Sequence, residues 1–320
     1  MEMTSSSEKE AEYHSSDFDW EELREEIEKI PSLSYHLSPH VSASTSDASP
    51  VEADSWRRFH RRHSTARFFK ERRYLLKEFP ELLSGQDLVK VLEVGCGNGS
   101  TVLPILRARE SIVVYACDCS EEILEKAKEI VVTAKCITSN NRFVPFVLDF
   151  NNNEFPEWLF CTSCQSSYSG KNASSDYTHE SEASINSLTL EGNRCCVVGV
   201  DFVTLIFTLS AVPFSKMPYV IQKCTSVLKP GGLILFRDYG VYDMTMLRFA
   251  PVQKVGFREY MRSDGTLSYF FSLDVTRDLF CAAGLIELEL EYCCVRSVNR
   301  RNGKEMRRVW VHGKFQKPMV

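Results

Sequence analysis

Short apolar runs separated by amphipathic stretches dominate the middle of the chain. Leu88–Val94, Ile112–Cys117, Phe143–Leu148, Val200–Phe207 and Leu233–Phe236 are runs of four to eight residues bounded by turn-forming residues. They are too short for helices and apolar on both faces, so they read as buried parallel strands. Between them, Ser120 is placed to cap a helix over Glu121–Val131, whose first two glutamates sit where the helix dipole favours negative charge. A second helix is expected over Phe214–Leu228, stopped by Pro230-Gly231-Gly232, and a third after Ser272. Leu285–Cys293 and Arg308–Phe315 read as late strands. Alternation of strand and helix, closed by a strand pair, predicts an α/β doubly wound sheet with an antiparallel edge strand.

Two stretches fall outside this pattern. Cys161–Arg194 is rich in Ser, Asn and Thr without apolar periodicity, and reads as a surface loop inserted between two elements. Residues 1–54 also lack apolar runs, and are expected to form an acidic, largely disordered tail. Within it, Trp20–Ile30 fits a short amphipathic helix or, equally, a nascent helix with no partner. The expected division is therefore a tail over 1–54, a basic aromatic segment over 55–85, and the α/β domain over 86–320.

Charge sharpens that division. The 320 residues carry a net charge of -5, which alone argues weakly against a nucleic-acid partner. Residues 1–54 carry -11 and the rest carries +6. Two basic clusters account for the excess: Trp56–Lys77 with nine Lys or Arg, and Arg296–Lys317 with eight. The first is interleaved with aromatic residues, the expected footprint of a surface that follows phosphates and stacks on bases. Arg67, Phe68, Phe69, Lys70, Arg72, Arg73, Arg307 and Arg308 are the candidate RNA contacts. The bland alternative is solvated faces whose aromatics belong to the core.

No run approaches the roughly 20 apolar residues of a membrane-spanning helix. The start of the chain has no look of a secretory or transit segment, so the twelve cysteines are expected as thiols in a reducing, cytoplasmic setting, with the nucleus as an alternative. Cys161/Cys164 and Cys195/Cys196 could bind zinc or stay free. The seven histidines have no ligand spacing, and no metal is expected.

The chemistry begins at Glu93-Val94-Gly95-Cys96-Gly97-Asn98-Gly99, after the first strand. Ser100 stands where a dinucleotide fingerprint needs its third glycine, so this is not a pyrophosphate cradle. Glu93 suits a ligand ammonium, and Asp118, at the end of the second strand, suits two ribose hydroxyls. Asp149, ending the third strand, suits an adenine amino group. Ammonium, ribose and adenine together describe S-adenosylmethionine. Ile206 is a candidate to pack on the adenine, or is plain core. Arg237, Asp238 and Tyr239 follow the fifth strand and could stack on and hydrogen-bond a flipped base. Equally, Arg237 could form a structural ion pair with Asp238 or Asp243.

Several segments resemble the tRNA N3-methylcytidine methyltransferases of the methyltransferase-like (METTL) family: 56–79, LEVGCGNGSTVLPIL (92–106), YACDCS (115–120), LIFTLSAV (205–212), VLKPGGLILFRDYGVYDMTMLRF (227–249) and SDGTLSYFF (263–271). The resemblance implies a class I Rossmann-like fold and S-adenosylmethionine as cofactor. It implies methylation of cytidine N3 at position 32 of the anticodon loop, and a seryl-type aminoacyl-tRNA synthetase as partner. It assigns cofactor contacts to Trp56, Gly95, Asp118, Asp149 with Phe150, and Ile206; Gly97 and His60 lie within the same motifs. His60 stands where the family has tyrosine, and Leu267 where many relatives have arginine. A methyltransferase of small molecules or proteins, and a non-catalytic RNA-binding subunit, are the competing readings.

Overall fold

The computed structural model describes residues 16–39, 52–63, 71–84, 88–134, 142–160, 197–298, 303 and 305–319. Seven strands form the main sheet: β1 (Val89–Val94), β2 (Ile112–Asp118), β3 (Phe143–Val147), β4 (Val200–Ile206), β5 (Leu228–Tyr239), β9 (Ile286–Val298) and β10 (Glu305–Gln316). Their spatial order is β3-β2-β1-β4-β5-β10-β9. The first five run parallel, and β10 turns back antiparallel to β5 and β9. The expected doubly wound sheet is therefore present, with its order reversing between β1 and β4. That reversal opens a crevice at the carboxyl ends of those strands, where ligands of such sheets bind.

Helices cover both faces: α2 (Glu52–Arg62), α3 (Leu75–Glu78), α4 (Val102–Ala108), α5 (Glu121–Thr133), α6 (Met217–Val227) and α7 (Leu273–Ala282) follow the arm helix described below. Ser120 caps α5 by accepting from the Ile123 amide at 3.4 Å. Ile123, Leu124, Ala127 and Val131 then fall on one face and are buried, the period expected of a helix packed on a sheet. β5 begins earlier than the expected Leu233, because Pro230-Gly231-Gly232 does not end the element. Gly231 donates to the Lys317 carbonyl at 3.0 Å and Lys317 to Gly232 at 2.9 Å, which keeps the chain in the sheet.

The largest departure from the sequence reading is at the amino terminus. Residues 16–39, assigned to a disordered tail, are packed against the body. Helix α1 (Trp20–Glu28) starts at Asp19, whose carboxylate accepts from the Glu22 amide at 2.9 Å. It buries Leu23 and Ile27 against Val241, Tyr242, Met246 and Phe249. The Trp20 ring stacks on Tyr292 at 4.4 Å. A 3-10 turn, Pro31–His36, then places the His36 imidazole 2.7 Å from the Tyr260 hydroxyl. Burial, helped by Lys254, pushes the His36 pKa down to about 4, so it docks as a neutral ring. Its platform is a second sheet, β6 (Lys254–Gly256), β7 (Glu259–Met261) and β8 (Leu267–Tyr269), which the apolar pattern did not reveal. Strands of three residues are too short to establish an alternation.

If the arm is docked in solution, Leu23→Ala leaves a cavity in this cluster and destabilises the protein by about 2–4 kcal/mol. Urea denaturation checks this; a change below about 0.5 kcal/mol is surface-like and would mean the arm is not docked.

Candidate active site

An open cleft lies over the carboxyl ends of β1, β2 and β4, the place where ligands of such sheets bind. Trp56, His60, Gly95, Gly97, Asp118, Asp149, Phe150 and Ile206 all line it. The structure thus brings together eight of the nine residues expected at a cofactor, drawn from five separate stretches of sequence.

The glycine loop makes the floor. Gly95 has φ +69°, and a Cβ there would lie 2.7 Å from Thr208 Cγ2. Only glycine satisfies both the left-handed backbone and that approach. Asp118 clasps the loop to β2: Oδ2 accepts from the Gly97 amide at 3.0 Å, and Oδ1 from the Ser120 amide at 3.1 Å. His60, on α2, brings Nε2 to 3.6 Å from Asp118 Oδ1. Burial lowers the His60 pKa more than Asp118 raises it, so the imidazole is neutral at physiological pH. At the far end, Asp149 accepts from the Asn151 amide at 3.2 Å and Asn152 Nδ2 at 2.8 Å. Lys223, from α6, donates to the Phe150 and Asn153 carbonyls, which fixes the turn carrying Asp149.

The other predicted residues need correction. Glu93 does not line the cleft. It is buried beneath the loop, 3.4 Å from the Thr204 hydroxyl, and desolvation pushes its pKa up to about 8. A protonated acid is a poor ammonium partner, so the ammonium assignment is not supported. Arg237 is wholly buried. It pairs with Glu78, and its guanidinium lies 5.0 Å from the Tyr74 ring centroid and 4.5 Å from that of Trp310. It forms a structural ion pair, but with Glu78, 159 residues away, instead of the expected Asp238 or Asp243. Asp238 is also buried, accepts from the Ser210 and Tyr239 amides at 2.8 and 2.9 Å, and has its pKa raised by burial to about 6. Neither can touch a substrate.

Tyr239 is half-buried and continues an aromatic row. Phe207 lies 5.0 Å from Tyr239 and 6.2 Å edge-on to Trp310. Phe207 also lines the cleft and has φ 55°, a conformation that costs a bulky residue and clusters at functional sites. Sequence reasoning missed it because its neighbour Ile206 looked like the relevant contact; no composition signal marks a strained backbone.

The basic candidates divide. Arg67, Phe68, Phe69 and Lys70 lie outside the described residues, as do Cys161, Cys164, Cys195 and Cys196. Arg73 is exposed, 3.4 Å from Glu71. Arg72 is not on the outer surface; it lines the cleft. In the second cluster the five described bases all have partners within the protein. Arg308 is bound to buried Asp243 at 2.8 Å, and Arg296 to Glu305 at 3.0 Å. Lys314 is held by Glu81 at 2.7 Å and Glu289 at 3.0 Å, and Lys317 by the Thr225 and Leu228 carbonyls. Arg307 faces solvent but meets Glu26 of α1 at 2.7 Å. Because β10 is an interior strand, paired on both sides by β5 and β9, most of the described bases of that cluster are held within the fold. Among the described residues no group of three His, Cys, Asp or Glu could hold a metal ion, and no helix is long and apolar enough to cross a membrane.

This strand order, with a glycine loop after β1 and acids ending β2 and β3, defines a class I S-adenosylmethionine-dependent methyltransferase. A family model described as a methyltransferase domain matches residues 60–289. Human tRNA N(3)-cytidine methyltransferase METTL6 is 35% identical over 268 residues, covering 82% of this chain and 80% of that protein. The tRNA N(3)-methylcytidine methyltransferase Mettl2 of Drosophila melanogaster is 33% identical over 272 residues, covering 82% of this chain and 71% of that protein. The crystal structure of a SAM-dependent methyltransferase from Anabaena variabilis superposes with a TM-score of 0.54 at 12% identity, over 87% of this chain and all of that one, a likeness of fold alone. The chain belongs to the tRNA N3-cytidine methyltransferase family.

Two outcomes follow from the cleft. Gly95→Ala puts a methyl group into Thr208, and is expected to lower affinity for S-adenosylhomocysteine at least about tenfold in calorimetry, as displaced loop contacts cost about 1.4 kcal/mol or more. Glu93 binds its proton more tightly folded than unfolded, so its stabilising contribution is full below pH about 4.5 and is lost as pH rises to about 8. Glu93→Gln removes that loss. The melting temperature of the unliganded variant should therefore gain on wild type steadily from pH 5 to pH 8.5; a constant difference would contradict the raised pKa.

Proposed function

We propose that the protein methylates N3 of cytidine 32 in the anticodon loop of tRNA. The observation that supports this best is the junction of two surfaces at adjoining strand ends. One is the cleft tipped by Asp118 and Asp149. The other is the aromatic row of Phe207 and Tyr239, at the ends of β4 and β5, and Trp310, which lies opposite Tyr239 in the middle of β10.

The donor set fits the cofactor part by part. Asp118, with carboxylate oxygens at the end of β2, suits a ribose diol, while the Asp149–Asn151 turn suits an adenine edge. Trp56, Phe150 and Ile206 supply apolar walls. The Gly95 backbone comes so close to Thr208 that any Cβ would collide with it, which holds the loop in its left-handed turn at the cleft. The cofactor supplies an electrophilic methyl group on a sulfonium.

The chain's own contribution is then alignment. Cytosine N3 has an available lone pair at neutral pH, so no strong base is needed, and holding it about 3 Å from the methyl carbon in line is a proximity effect worth several kcal/mol. Phe207 and Tyr239 present ring faces on which an extruded base can stack. The methylated base is cationic. Asp238, ionised above pH about 6, contributes its field through the strand end without contact. N3 lies on the pairing edge, which an unpaired loop nucleotide exposes. Arg73 and Arg62, both exposed, face phosphates on the approach. The acceptor tRNA's hold on Arg307 requires it to exchange Glu26 for a phosphate, at little cost for a surface pair. The family resemblance extends to a seryl-type synthetase as partner, which co-purification from the host tests.

Mass spectrometry of tRNA nucleosides before and after incubation with enzyme and cofactor is the direct test, and N3-methylcytidine is the expected product. Label appearing in a small molecule or protein instead would replace the reading. Arg73→Glu should weaken tRNA binding and lower the slope of log K against log salt by about one to two contacts' worth, roughly 0.9 per contact on duplex.

A further inference from the structure

The cleft has a chemically divided wall. Its adenosine end is acidic, with Asp118 and Asp149. Arg72 joins the wall beside Ser100 and Ile206. Among the described residues lining the cleft, Arg72 is the side chain that carries a positive charge, since His60 is held neutral by burial.

Arg72 is also built into place. Its backbone amide donates to the Ser100 carbonyl at 2.9 Å. Its Nη1 donates to the Thr101 hydroxyl at 3.1 Å and to the Ile206 carbonyl at 3.2 Å. The guanidinium carbon lies 5.1 Å from the centroid of the Phe207 ring. Both bonds use Nη1, so the Nε–Nη2 edge of the fork is the part that can meet a ligand. An arginine fixed on one side and presenting its other edge to a cleft is preorganised for bidentate recognition of a carboxylate. Such an edge would be wasted on RNA, which would have to enter the cofactor cleft to reach it.

We propose that Arg72 is the anchor for the α-carboxylate of the cofactor's amino-acid moiety, and that this contact sets the position of the sulfonium beside Phe207. This rests on the reading of the cleft as the cofactor site. It assigns the residue to the cofactor instead of the tRNA, although it lies within the basic segment.

The test uses ligands that differ only at the proposed contact. S-adenosylhomocysteine carries the amino acid, its decarboxylated analogue lacks the carboxylate, and 5′-methylthioadenosine lacks both carboxylate and amine. Dissociation constants for full-length protein, read by calorimetry and by Trp56 fluorescence, need neither RNA nor turnover. Wild type should bind S-adenosylhomocysteine roughly 10- to 100-fold more tightly than the decarboxylated analogue, the range of a charge-assisted bidentate pair. Arg72→Met should lose that discrimination while binding 5′-methylthioadenosine within about twofold of wild type. Arg72→Lys should recover part of it.

Equal affinity of wild type for the acid and its decarboxylated analogue would overturn the proposal without using any variant. So would an Arg72→Met protein that still discriminates, which would place carboxylate recognition on backbone amides. A variant that loses all three ligands alike would mark Arg72 as structural. Failure of wild type to bind any of the three would remove the cofactor-site reading itself, and with it the methyltransferase mechanism, a result distinct from each of the others.

Discussion

One buried charge organises the acceptor side of the molecule. Arg237 has no exposure to solvent, and a lone guanidinium in that position would be prohibitively costly. It is tolerated because Glu78 comes to it from α3 and because the rings of Tyr74 and Trp310 flank it. That requirement fixes where the segment after the basic run must cross the sheet. Glu78 in turn accepts from His312 at 3.0 Å, whose other ring nitrogen is 3.1 Å from Glu289. The Phe79 ring stacks on the same imidazole at 4.9 Å. A single chain of charges therefore ties α3, β5, β10 and β9 into one register. Removing one member would strand the others in a dry interior, which costs more than the pair itself contributes. Trp310, held by this arrangement, is the back of the aromatic row on which a base would rest.

The cofactor side is governed by a different economy, that of carboxylates used for backbone geometry. Asp118 spends two oxygens on the Gly97 and Ser120 amides and so joins the glycine loop to the start of α5. Asp149 shapes its own turn through Asn151 and Asn152. Both are also the groups a nucleoside would meet. Their hydrogen bonds to backbone keep them oriented before any ligand arrives, which lowers the entropic cost of binding. Glu93 and Asp238, by contrast, are removed from solvent and shifted upward in pKa. They flank the loop and strand end from below, shaping the field without presenting themselves.

What was legible in the sequence was whatever is local or periodic. The strands β1, β2 and β4 are continuous apolar runs because both faces are covered, and the cleft acids are legible because each lies at or just past the end of a strand. Ser120 announces α5 by capping it. What was not legible depends on long-range pairing. Nothing near Arg237 indicates that Glu78 is its partner, and a basic run gives no hint that Arg72 turns inward while Arg73 turns out. The arm was misread because acidic composition outweighed the spacing of Trp20, Leu23 and Ile27. Those three residues suffice once Tyr242, Phe249 and Tyr292 provide a surface, and that surface is assembled from residues more than 200 positions away. The three-residue strands of the small sheet are stabilised by the arm that docks on them, so neither half is recognisable alone.

The described residues on either side of 161–196 pair with one another just before β4. The Val197 amide donates to the Trp158 carbonyl at 2.8 Å and the Gly199 amide to Leu159 at 3.0 Å. These two rungs hold Trp158–Leu159 and Val197–Gly199 side by side, immediately before β4. Closing a loop whose ends are already clamped depends on its length only logarithmically, so a doubling costs about 0.6 kcal/mol. The entry to β4 is therefore secured by these four described residues themselves, at a closure cost that changes little with the number of residues between the two rungs.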